Sequence, residues 1–91
     1  MIHAKLIITR HAFARFKERI GGKTYHDMVT LLRKSNRLKV KAMRTLFPGS
    51  KDVLGQGHAS YYRSGDAVFV LKPRPCGGIA VVTCLKFPDK D

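Results

Sequence analysis

Apolar residues change their spacing several times along the chain, and each change marks an element. Lys5 to Thr9 (KLIIT) is a short, β-branched run and predicts a strand. From Thr9 or Arg10 to Ile20 the period lengthens: Phe13, Phe16 and Ile20 recur at three- and four-residue steps and predict an amphipathic helix. Gly21-Gly22 stops that helix, because glycine readily takes the left-handed conformation at a helix C-terminus. Thr24, with Asp27 three residues on, reads as an N-cap pair for a second helix. Tyr25, Met28, Val29 and Leu32 fall on one side of it, and Asn36 is expected to end it.

Residues 37–47 (RLKVKAMRTLF) fit two periods. Leu38, Val40 and Ala42 alternate as in a strand, whereas Val40, Met43 and Phe47 step as in a helix; the reading leans to a helix ended by Pro48-Gly49. The glycine-rich stretch 48–58 predicts a loop. Tyr61-Tyr62, a turn at Ser64-Gly65-Asp66 and Ala67 to Lys72 predict a hairpin. A second turn at Pro73 to Gly78 leads into Ile79 to Leu85, which is apolar on both faces and therefore central in a sheet. The expected fold is α+β, with two or three N-terminal helices on one face of an antiparallel four-stranded sheet.

Ninety-one residues support one domain, 1–91, because a second core would need about twice the chain. The N-terminus has neither the long apolar stretch nor the cleavage pattern of a signal peptide, and no run is long enough to span a bilayer; a cytoplasmic protein without membrane partners is expected. The two cysteines, Cys76 and Cys84, and the four scattered histidines lack zinc-ligand spacing, and no paired carboxylates are present to hold magnesium. Neither a metal nor a cofactor is expected.

Charge changes the picture most. Eighteen Lys and Arg oppose six Asp and Glu, a net +12, and residues 1–47 carry 12 of the basic residues and 2 of the acidic ones, or +10. Arg33, Lys34, Arg37, Lys39, Lys41 and Arg44 follow one another without an intervening acid. A self-repelling stripe of this kind calls for a polyanion: RNA or another nucleic acid, or an acidic protein. A solvated face kept for solubility is the plainer alternative.

The first helix carries the best candidate chemistry. On a 100° wheel His11, Arg15 and Glu18 lie within about 60° of one another, with Arg19 just beyond, away from the apolar face. An imidazole, guanidinium groups and a carboxylate are the parts required for metal-free phosphodiester cleavage, although surface i,i+3 and i,i+4 pairing accounts for them equally. His58 in the glycine-rich loop is a further catalytic candidate. Of Tyr61 and Tyr62, alternation sends one into the core and one outward, where it could stack on a base. Thr83 interrupts the most apolar strand, so its hydroxyl needs a partner; neither Cys76 nor Cys84 has neighbours that would make it a nucleophile.

The string ITRHAFARFKERIGG resembles the N-terminal signature T-x-H-A-x-x-R-x-x-x-R of small phage and plasmid proteins related to the BrnT and RelE-type ribonuclease toxins. DAVFVLKPRPCGGIAVVTCL resembles the closing hairpin of the same family, and the two strings span about 35 of the 91 residues. His11, Ala12, Arg15, Arg19, Val82 and Thr83 match, while the basic segment 33–47 exceeds the family pattern. The resemblance implies the fold shared by barnase, EndoU, colicin nucleases and RelE, in which helices pack on a four-stranded antiparallel sheet. It also implies an RNA substrate and, for a toxin, a neutralising acidic antitoxin. Of the site residues it carries over His11, Arg15 and Arg19.

Two functional expectations follow. One is a metal-independent endoribonuclease acting by 2′-hydroxyl attack, with His11 as base or acid, Arg15 and Arg19 as phosphate clamps, and the Arg33 to Arg44 stripe as docking surface. The other is a non-catalytic basic protein of phage type that binds nucleic acid or an acidic host enzyme.

Overall fold

In the computed structural model, which describes residues 5–21, 24–48, 59–75 and 77–88, the opening apolar run forms strand β1 (Leu6–Ile8). Thr9 then begins α1 (Arg10–Arg19), and its hydroxyl does two things there. It accepts the Ala12 N–H at 3.1 Å as an N-cap and donates to the Val81 carbonyl at 2.8 Å, tying the helix start to the far end of the chain. Beyond the C-cap Ile20, Gly21 has φ +82°, the left-handed stop expected after α1. Thr24 and Asp27 form a reciprocal capping box at the start of α2 (Tyr25–Lys34), with bonds of 3.0 and 3.1 Å. Strand β2 (Asn36–Leu38), helix α3 (Val40–Leu46), β3 (Ser60–Ser64), β4 (Ala67–Pro73) and β5 (Ile79–Lys86) complete the described elements.

The strands form one sheet in the order β1-β5-β4-β3-β2. β1 runs parallel to β5, with Ile7 beside Ala80, and every other pairing is antiparallel. Between Val70↔Thr83 and Leu71↔Val81 the register slips by one residue, leaving Val82 as a bulge in β5. At the β4–β5 turn the chain passes close to β1. A Cβ on Gly78 would stand 3.2 Å from the Lys5 carbonyl, and that carbonyl accepts the Ile79 N–H at 2.9 Å. With φ at +81°, a side chain at this position would be doubly strained.

Alternation along β4 divides the core into two layers. Ala67, Phe69 and Leu71 pack with Ala12 and Phe16 of α1 and with Met28 and Leu32 of α2. Val68 and Val70 point the other way, into a smaller cluster with Tyr61, Leu85 and Met43 of α3. The central position expected for Ile79 to Leu85 is observed: β5 lies between β1 and β4 and is buried on both faces. Among the described residues no helix is long and apolar enough to cross a membrane.

The α+β class holds, but the expected architecture needs correction. The sheet has five strands and is mixed, not four-stranded and antiparallel. The fifth strand is Asn36–Leu38, so Asn36 belongs to β2 and does not end α2, which stops at Lys34 with Ser35 as C-cap. Three residues are too few to show alternation, and their partners, Asn36↔Arg63 to Leu38↔Tyr61, are distant in sequence. Residues 37–47 therefore contain both a strand end and a helix. Nor do the helices share one face, because Met43 carries α3 into the layer opposite α1 and α2. The loop expected over 48–58 lies almost wholly outside the described residues.

Candidate nucleic-acid interface

The basic run Arg33 to Arg44 is not one helical stripe. Arg33 and Lys34 form the last turn of α2, Arg37 lies on the edge strand β2, and Lys39 is the N-cap of α3, which bears Lys41 and Arg44. All six side chains are exposed. Arg37 pairs across the sheet with Tyr62, which packs into the α1/α2 layer, whereas Leu38 packs into the α3 layer. The charge therefore forms a band that wraps the β2 edge from one face of the sheet to the other. Arg44 also acts electrostatically on Tyr61, whose hydroxyl pKa is raised by burial, with the guanidinium opposing the rise.

Tyr61 and Tyr62 divide as alternation requires. Tyr61 is buried in the α3 layer, and Tyr62 is half-buried against the α1/α2 core. Both rings are thus committed to packing. Thr83 is buried, and among the described residues its hydroxyl finds no hydrogen-bond partner.

The α1 candidates stand elsewhere. α1 covers β5, three strands from β2, so at strand spacings of about 4.8 Å it is roughly 14 Å away across the sheet. His11 is exposed and makes no hydrogen bond or ion pair to a described residue. One turn on, Arg15 Nη1 donates to Glu18 Oε2 at 2.8 Å, the i,i+3 pair expected from the wheel. Arg19 behaves differently. Its Nη1 donates to the Cys84 carbonyl at 3.0 Å, fastening α1 to β5. His58 lies outside the described residues, as does Cys76.

Cys84 is a buried free thiol pushed up to about 12 by burial, against the opposing effect of the Arg19 guanidinium. A thiol held protonated in this way is no nucleophile. Among the described residues no three His, Cys, Asp or Glu side chains gather into a metal-binding group.

Beside the band lies an open groove of about 440 Å³ lined by Lys34, Asn36, Leu38, Arg63, Ser64 and Gly65. Sequence reasoning found Lys34 but missed Asn36 and Arg63, which face each other only through the β2–β3 pairing. The available signal was the alternation after Tyr61, which places Arg63 on the same side as that tyrosine. A smaller, more apolar recess of about 160 Å³ lies between Ser60, Tyr62, Leu71, Pro73 and Ile79. Comparison of the chain with family models, curated proteins and solved structures finds no match.

Proposed function

We propose that the protein binds single-stranded RNA along the basic band at the β2 edge. The observation that carries this reading is the placement of six cations, uninterrupted by an acid, on both sides of one sheet edge. A flexible strand can follow a surface that turns such a corner. A duplex, with a persistence length of about 50 nm, can touch only one side of it. The preference for RNA rests on the resemblance of the His11, Arg15 and Arg19 string to the ribonuclease toxins, and the reading places the protein in the cytoplasm. Fluorescence anisotropy with a labelled 20-mer tests it. The single strand should bind more tightly than the duplex at equal salt, and reversing Arg33, Arg37 and Lys41 to Glu should abolish binding. Equal affinity for both forms, or indifference to charge reversal, would overturn it, and binding confined to an acidic protein would assign the band to that partner.

A second reading adds cleavage, and it is favoured by an exposed His11 with no bond to a described residue, one turn from the Arg15–Glu18 pair. His11 would take the 2′-hydroxyl proton as that oxygen bonds to phosphorus, while Arg15, oriented by Glu18, would meet the charge that develops on the phosphorane. The P–O5′ bond would then break, with the leaving 5′-oxygen taking a proton from water. RNA should then be cut in EDTA to a 2′,3′-cyclic phosphate, a 2′-deoxy nucleotide at the cut should block the reaction, and His11→Ala should retain binding but lose turnover. If EDTA-treated protein leaves RNA intact, the protein is a binder only.

A further inference from the structure

The groove between β2 and the β3–β4 turn contains an arginine that is already fixed in position. Arg63 Nε donates to the Gly65 carbonyl at 2.9 Å, and the guanidinium lies 3.4 Å from the centroid of the Phe87 ring. Phe87 is itself held, since its N–H donates to the Asp66 carbonyl at 2.6 Å. A guanidinium bonded through Nε and stacked on one face has lost most of its rotamer freedom. Nη1 and Nη2 are engaged by no described residue, which leaves two donors of a rigid fork for an incoming anion. Lys34 adds a second charge to the groove, and Asn36 and Ser64 add an amide and a hydroxyl. Among the described residues no carboxylate lines it, Asp66 of the turn included.

We infer that this groove is a phosphate-binding site in which Arg63 grips two oxygens of a nucleotide phosphate and Lys34 neutralises the remaining charge. Its volume, about 440 Å³, falls within the range of small-ligand sites, so the sugar attached to the phosphate can enter beside Leu38. Lys34 also belongs to the basic band, so the groove is where an RNA strand on the band would be gripped most firmly. The inference thus deepens the RNA-binding reading and rests on it for the source of the phosphate, although phosphate binding itself can be measured without RNA.

The phosphate has two possible sources, a diester within a chain or the terminal monoester of a nucleotide. Nitrogen-15 NMR titration of the whole chain with uridine 5′-monophosphate and with the dinucleotide UpU, against sodium chloride at matched ionic strength, separates them. Either ligand should give saturable shifts at Arg63 Nε–H and at the amides of Asn36, Ser64 and Gly65. Arg63→Lys keeps the charge but removes the fork, and should weaken binding at least about tenfold. Lys34→Gln, at an exposed helix end, should weaken it several-fold and serves if the Arg63 variant loses its dispersed spectrum. Shifts that never saturate, or equal affinity in Arg63→Lys or Lys34→Gln, would overturn the site. If wild type binds the mononucleotide but no RNA, the RNA reading fails and the groove stands; if RNA binding falls in Lys34→Gln but is indifferent to Arg63→Lys, the groove fails and the band stands.

Discussion

If the band binds RNA as proposed, the salt dependence of that binding reports how much of it is used, and the bend at β2 makes the answer quantitative. Each phosphate neutralised on a single strand contributes about −0.7 to the slope of log K against log salt. Arg33, Lys34 and Arg37 lie on α2 and the edge strand, and Lys39, Lys41 and Arg44 on α3 or its N-cap. A strand that stays on one side meets three cations and gives a slope of about −2, whereas one that crosses the edge meets six and gives about −4. Between 50 and 200 mM salt these predict affinity losses of about 16-fold and about 250-fold. Anisotropy titrations at four or five salt concentrations resolve the two. If the strand crosses, Lys34→Gln and Lys41→Gln should each reduce the slope by about 0.7, the double variant should reduce it by about 1.4, and the loss should be similar for all RNA sequences. A wild-type slope shallower than about −1, or one that neither variant changes, would refute the reasoning and leave the charge to solubility.

Other predictions concern stability. Thr83→Val removes a buried hydroxyl with no hydrogen-bond partner at nearly constant shape, and should raise stability by about 1–2 kcal/mol in urea denaturation; a loss would show that the hydroxyl is satisfied after all. Arg19→Gln should lower stability by about 1–2 kcal/mol by releasing the Cys84 carbonyl, with the RNA salt slope unchanged. A shallower RNA salt slope in a stable Arg19→Gln variant would instead give Arg19 a phosphate contact as well. Cys84 is protonated more firmly when folded than when unfolded. Its contribution to stability is therefore complete below pH 9 and falls by about 1.4 kcal/mol per pH unit as pH rises from 9.0 towards about 12. Denaturation midpoints across that range should fall less steeply in Cys84→Ala.

Local signals placed most of the elements. The Thr24–Asp27 box, the Gly21 stop and the apolar run of the second hairpin strand, Ala67 to Lys72, all reside in neighbouring residues, and each appears where the pattern sets it. The β2 strand and the parallel β1–β5 pair were hidden because strand pairing is decided by partners dozens of residues away. The same limit applied to the site. The basic run was plain in sequence, but whether it formed a face, a stripe or a corner depended on where α2 ended. Arg19 looked equivalent to Arg15 on a helical wheel, and only the approach of β5 separated the two. Arg63 carried only its place in the alternation after Tyr61 until Asn36 and Phe87 were brought beside it.

The neighbour relation between the first strand and the last also fixes when the chain can fold. β5 is the strand on which β1, β4 and α1 all rest, and it is the last of the described elements to be synthesised. Until Val81 is available, Thr9 lacks the carbonyl that anchors it across 72 residues, and the Phe16 side of α1 has no sheet to cover. Until β5 has been made, the +10 half therefore lacks the strand it packs on, beside the ribosomal and messenger RNA of the translating ribosome. For such a chain, escape from nonspecific capture by RNA during translation is itself a requirement on the sequence. The six charges held at one sheet edge become a defined surface only once the final strand has closed the sheet.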